Sequence, residues 1–109
     1  MNFQLPDAVS LYFDISNGGA PSRLRGCFCA NATVIDEKIT HQGWEAIETW
    51  QREAQRAFTY RIEPLQAVQE ADRLIVTTRV VGNFPGSPVD LAHAFTLKDD
   101  RIHSLEITP

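Results

Sequence analysis

The stretch Val89-Asp90-Leu91-Ala92-His93-Ala94-Phe95-Thr96-Leu97 decides the fold class. Successive side chains of a strand point to opposite faces of a sheet. Val89, Leu91, His93, Phe95 and Leu97 then share an apolar face, opposite Asp90, Ala92, Ala94 and Thr96. The same alternation runs over 74–81, with Leu74, Val76, Thr78 and Val80 on the core side and Ile75, Thr77, Arg79 and Val81 behind them. Phe84-Pro85-Gly86-Ser87 between the two runs fits a type II turn, with Pro and Gly in the two central positions. Working outward, strands are expected over 59–68 and 102–107, joined to the central pair by turns at Glu70-Ala71-Asp72 and Asp99-Asp100. The second half of the chain is therefore an antiparallel meander.

The first half carries a helical period. After Pro6, the residues Leu5, Ala8, Val9, Tyr12 and Ile15 fall on one face, and Asn17-Gly18-Gly19 ends that helix. A second short helix is expected from Pro21, burying Leu24, Cys27 and Phe28 and stopping near Asn31. Thr33-Val34-Ile35-Asp36 reads as a short strand, and Thr40-His41-Gln42-Gly43 as a turn and cap. A third helix spans 44–57, with Trp44, Ile47, Trp50, Ala54 and Ala57 inward and Glu45, Glu48, Arg52, Glu53 and Arg56 elsewhere. Helices followed by a run of strands give an α+β fold with the helices packed on one face of the sheet.

The 109 residues suit one domain, 1–109. Lys plus Arg number 10 and Asp plus Glu 14, a net charge of −4 with no basic run, so no nucleic acid and no anionic membrane surface is an expected partner. No apolar run approaches the roughly 20 residues that cross a bilayer. Residues 1–7 show neither the basic nor the apolar region of a secretory signal. The two cysteines, Cys27 and Cys29, form no disulfide framework and have no further ligands at metal spacing. A cytoplasmic setting is expected, with no metal and no organic cofactor. The outer sheet face, with Ala92, Ala94, Ile75, Thr77 and Val81, is too apolar to be wholly solvated, which predicts a homodimer through that face.

Three residues stand out chemically. Asp36 ends a mostly apolar strand; it is either a loop cap or a carboxylate in a hydrophobic recess, where it becomes a proton acceptor near neutral pH. His93 interrupts an apolar row, as a buried histidine satisfied by a neighbour or as a pocket donor or acid/base. Tyr12 lies on the inner face of the first helix, as a packing residue or a hydroxyl donor. Trp44, Trp50, Phe58, Phe95 and Leu91 are candidate walls for a small apolar molecule.

Several strings carry a resemblance over nearly the whole chain: Tyr12 five residues before Asn17-Gly18-Gly19, Cys29-Ala30-Asn31-Ala32-Thr33-Val34-Ile35-Asp36, His41-Gln42-Gly43-Trp44-Glu45-Ala46-Ile47 and Phe95-Thr96-Leu97-Lys98-Asp99-Asp100-Arg101-Ile102. In these the sequence resembles the nuclear transport factor 2-like superfamily, in its SnoaL-like branch of polyketide cyclases and ketosteroid isomerases. The resemblance implies a cystatin-like cone, three N-terminal helices on a curved antiparallel sheet around an apolar cavity, and dimerisation through the sheet. It also implies that Asp36 matches the general base of ketosteroid isomerase and Tyr12 its oxyanion donor. His93 stands where that enzyme has a second, protonated aspartate donor. Glu37 replaces a proline after the base, and the chain ends at Pro109 directly after the last strand, so steroid isomerisation itself is not expected.

The reading that follows is cofactor-independent proton transfer, of isomerase or cyclase type, on a small apolar carbonyl compound. Asp36 is then the base, and Tyr12 and His93 are donors. The alternatives are a non-catalytic binding protein for an apolar ligand and a dimeric interaction module.

Overall fold

Pro6, with its fixed φ and no N–H to satisfy, precedes helix α1 (Asp7–Ser16) in a computed structural model that describes residues 4–109. The absence of a signal over residues 1–7 therefore rests partly on positions outside the described residues. A 3-10 helix (Pro21–Gly26) follows, then β1 (Phe28–Asp36), β2 (Ile39–Gln42), α2 (Trp44–Ala57), β3 (Tyr60–Glu70), β4 (Arg73–Gly82), β5 (Val89–Lys98) and β6 (Arg101–Thr108). The strands form one curved six-stranded sheet in the order β2-β1-β6-β5-β4-β3, and the fold is α+β as expected.

Three details differ from the sequence reading. The helices are not all N-terminal, because α2 follows β1 and β2. The sheet is not wholly antiparallel: β1 runs parallel to β6, pairing Val34 with Leu105 and Asp36 with Ile107. The second helix ends at Gly26, so Phe28 to Ala32 extend β1, and 39–42 form an edge strand rather than a turn. The hairpin between β1 and β2 turns on Glu37 (φ 52°) and Lys38 (φ 63°), and that between β5 and β6 on Asp99 (φ 53°) and Asp100 (φ 65°). Positive φ at both positions is the type I′ geometry that matches strand twist.

The alternation on β4 and β5 gives the inner face as expected. Val76, Thr78, His93 and Phe95 are buried there, and Val76 pairs with His93, Thr78 with Leu91 and Leu74 with Phe95. Leu97 departs from the row: a register shift between Thr96 and Leu97 turns it outward, and it is exposed. Helix α1 packs Ala8, Val9, Tyr12, Phe13 and Ile15 against this face. Its end is tied to β3 by Asn17, whose amide donates to the Ile62 carbonyl (2.9 Å) and accepts from the Ile62 N–H (2.6 Å). The buried face of α2 centres on Ile47, Glu48 and Gln51, with Trp44 and Trp50 half-buried at its margins and Ala57 exposed. Glu48, expected outside, is tucked in and held by the Arg25 guanidinium (2.6 Å). Among the described residues no helix is long and apolar enough to cross a membrane.

Candidate functional site

Asp36 lies at the last position of β1, on the side of buried Val34. The Trp50 indole N–H, from the middle of α2, donates to its carboxylate (Nε1···Oδ2 3.0 Å). The Trp50 ring lies parallel to the Tyr12 ring, with centroids 6.5 Å apart and planes 3° apart. Tyr12 meets Phe28 and Phe95 edge to face at 5.9 and 5.8 Å, and lies 6.1 Å from the His93 ring. Helices α1 and α2 and strands β1 and β5 therefore bring Asp36, Trp50, Tyr12, Phe95 and His93 into one contiguous cluster. Of the expected wall, Leu91 flanks it half-buried.

Trp44 and Phe58 lie elsewhere. The Trp44 indole donates to the Phe28 carbonyl (2.8 Å) and carries Arg25 over its ring. Phe58 is exposed and packs edge-on against Phe84. An apolar residue's type sets how far it is buried, but not which space it faces, and that is why spacing placed both in the wall.

The electrostatics follow from burial. Tyr12 is fully buried, which pushes its phenol well above the ordinary range; the Asp36 and Tyr60 charges push the same way. It is a neutral hydrogen-bond donor at every working pH. Burial lowers His93 to about 4, so the ring is neutral at pH 7. Its Nδ1 faces the Thr78 hydroxyl at 3.3 Å, and that hydroxyl donates to the Leu91 carbonyl at 3.1 Å. A hydroxyl has one proton to give. With that proton on Leu91, we assign His93 as the Nδ1–H tautomer, donating to Thr78 and keeping a lone pair on Nε2. Cys27 is pushed up to about 12 by burial and is an unreactive core thiol; Cys29, half-buried on β1, does not pair with it.

Two grooves lie beside the cluster. One, about 400 Å³, runs between β2 and α2 past His41, Glu45, Thr49, Trp50 and Glu53. The other, about 290 Å³, lies between α1 and β3 past Phe13, Asn17, Arg61 and Ile62. Neither reaches Asp36, Tyr12 or His93. Trp50 is the partition, with one edge lining the first groove and its N–H on Asp36.

No protein-family model matches the chain, and no curated protein matches it. Among solved structures, a protein of Sinorhizobium meliloti assigned provisionally as a polyketide cyclase is 43% identical to it. That match covers 97% of this chain and 100% of the other, with a TM-score of 0.90. The chain belongs to the SnoaL-like branch of the nuclear transport factor 2-like superfamily. A Catenulispora acidiphila protein of ketosteroid isomerase-like fold, solved with trimethylamine, shares that fold at 19% identity. It covers 97% of this chain and 87% of its own, with a TM-score of 0.85. An epoxide hydrolase/cyclase-like enzyme of pyran ring formation in the polyether salinomycin does so at 21% identity, 94% and 87% coverage and a TM-score of 0.79.

The site of this SnoaL-like chain holds residues that spacing did not single out. Thr78 sets the His93 tautomer. Gln51 and Ser16 are buried at 1% and 2% exposure, Gln51 against the Tyr60 hydroxyl and Ser16 against the Tyr12 hydroxyl. The only sequence signal for Gln51 is its position one turn after Ile47, on the same face of α2.

Proposed function

We propose that this SnoaL-like protein binds a small apolar carbonyl compound and moves a proton on it without a cofactor. The observation that supports this reading best is the Asp36 carboxylate held by an indole N–H at the edge of an aromatic enclosure, beside the neutral phenol of buried Tyr12. Asp36 Oδ2 is taken by Trp50, and Oδ1 remains for substrate. Asp36 takes the proton from a carbon next to the carbonyl. The electron pair of that C–H bond moves onto the carbonyl oxygen, and the Tyr12 hydroxyl donates a hydrogen bond to the enolate oxygen. Asp36 then returns the proton to carbon. One positioned oxyanion donor is typically worth about 3 to 4 kcal/mol and a positioned base about 10² to 10⁴-fold. His93 is a second donor only when Thr78 turns its proton from Leu91 to Nδ1, which leaves Nε2–H free. Entry is from the 400 Å³ groove, past a displaced Trp50.

The test is deuterium incorporation next to the carbonyl of cyclohexanone in D₂O, followed by proton NMR. The wild type accelerates exchange, and Asp36→Asn loses about 10² to 10⁴-fold while keeping its circular dichroism. No acceleration by the wild type contradicts the reading. The packing of Phe28, Trp50 and Phe95 around Tyr12 favours a second reading, a binding or interaction module with a closed interior.

We also propose a homodimer through the outer sheet face, where Ile75, Thr77 and Ala92 are half-buried in the single chain and Val68 and Val81 are exposed. Sedimentation at micromolar concentration should give twice the 12.2 kDa chain mass; a single 12.2 kDa boundary rejects it.

A further inference from the structure

Two aromatic side chains close the two grooves off from the cluster, and they do so in different ways. Phe13 stands between the α1–β3 groove and His93. It is 4% exposed and meets Tyr12, His93 and Phe95 edge to face at 5.2, 5.4 and 5.9 Å, so it belongs to the core. Trp50 stands between the 400 Å³ groove and Asp36 and is only half-buried. Its ring lies parallel to Tyr12 at 6.5 Å, and His41, which lines the groove, is 6.0 Å from it at a tilt of 34°. Ala46 and Ala54, one turn before and one turn after it on α2, carry only a methyl group, so the helix surface is low on both sides of the indole.

Neither groove reaches Asp36 or Tyr12, so a ligand that touches both must take the place of a side chain. Trp50 is the side chain with somewhere to go, because the groove it lines has room for a displaced indole. Its N–H is the donor that the Asp36 carboxylate has among the described residues. A half-buried carboxylate oxygen that loses its donor is penalised. An incoming molecule offsets that loss when it brings a flat surface for Tyr12 and an O–H or N–H for Oδ2.

We propose that Trp50 is a built-in placeholder: its indole occupies the ligand's position in the free protein, and the ligand displaces it toward the groove. The ligand class is a flat conjugated compound whose O–H or N–H takes over the indole hydrogen bond to Asp36 Oδ2, such as a phenol or an enol. The inference rests on the small-molecule reading above and narrows it: a carbonyl compound that also carries a donor is preferred over one that does not. The donor on Oδ2 leaves Oδ1 to take the proton from carbon. Because the closed state must open first, the apparent affinity of the wild type is reduced by the fraction of molecules that are open.

The test titrates the protein with 2-naphthol and with 2-methoxynaphthalene, which share the flat ring and differ by the donor. The indole N–H resonances of isotopically labelled protein report both tryptophans. Trp44, whose N–H is tied to the Phe28 carbonyl, is the internal control. With 2-naphthol the Trp50 resonance should shift and its exchange with water quicken about tenfold or more, while Trp44 stays in place. 2-Methoxynaphthalene should bind about tenfold more weakly, because a polar site discriminates strongly against a ligand lacking its partner. Trp50→Ala, followed by calorimetry, should bind 2-naphthol about tenfold more tightly than the wild type, since no placeholder has to leave. Binding of 2-naphthol that leaves the Trp50 resonance in place, or equal affinity in wild type and Trp50→Ala, would overturn the inference and make Trp50 a packing residue. The proton-transfer reading would survive that result, because deuterium exchange tests it separately. Equal affinity for the two naphthalenes would overturn the assigned ligand class. Binding of neither compound to either protein would overturn both the placeholder and the pocket. Should Trp50→Ala not fold, the Trp50 resonance of the wild type decides alone.

Discussion

His93 and Gln51 are both polar side chains at 1% exposure inside the same fold, and the chain treats them in opposite ways. His93 Nδ1 faces Thr78, which faces the Leu91 carbonyl, so the polar edge of the ring is built into the β4–β5 pairing. Gln51 instead meets the Tyr60 hydroxyl, in a looser contact made by helix packing. Leaving a buried donor unpaired costs about 1 to 3 kcal/mol, a sizeable part of the stability of a small domain. A polar group that the fold satisfies is explained by the fold. A polar group that rests on one phenol depends on that phenol for its satisfaction. The two residues thus separate a partner fixed by strand pairing from one fixed by helix packing.

The comparison is sharpened most by pH, because His93 should carry a large stability term and Gln51 none. The His93 pKa falls from 6.5 in the unfolded chain to about 4 in the fold through burial. Between those values the unfolded state binds the extra proton, so stability is full above pH 6.5 and is lost as pH falls toward 4. The loss from this residue is on the order of 3 kcal/mol. Denaturant unfolding at pH 7 and pH 4 measures it. His93→Leu should flatten that part of the profile, although leaving Thr78 short of a partner lowers its stability at pH 7. Gln51→Met should leave the slope as it is. An equal slope in wild type and His93→Leu would break the assignment of His93 as a buried neutral imidazole.

Much of the fold is legible because it rests on local periods. The alternation of 74–81 and 89–97 and the amphipathic run 44–57 survive almost residue for residue as β4, β5 and α2. What is not legible is non-local or short. The first half of β1 is small and exposed at Ala30 and Asn31, and its partner β6 begins more than 70 residues downstream of Phe28, so no local pattern reports the parallel pairing. The edge strand 39–42 is mostly exposed and too brief to alternate visibly. Within the site, Asp36, Tyr12 and His93 could be picked out because each is a polar group in an apolar setting, and the structure links Asp36 through Trp50 to Tyr12 and Tyr12 to His93. Gln51 could not, because a glutamine on an amphipathic helix has the same appearance whether it faces water or a pocket. Leu97 was lost to a bulge, which shifts the side-chain period without any change in composition.

The smaller and most direct effect is electrostatic. If Asp36 and Tyr12 face one oxyanion, an ionised phenol placed there meets the Asp36 charge. Titration of wild type and Asp36→Asn with 4-nitrophenol above its pKa, read by the fluorescence of Trp50 on Asp36, measures that repulsion. Removing a unit charge a few ångströms from a bound anion is worth about tenfold or more in affinity. Binding that tightens by that factor in Asp36→Asn is the predicted result. Binding that is equal in the two proteins, or absent from both, would contradict an oxyanion site beside Asp36.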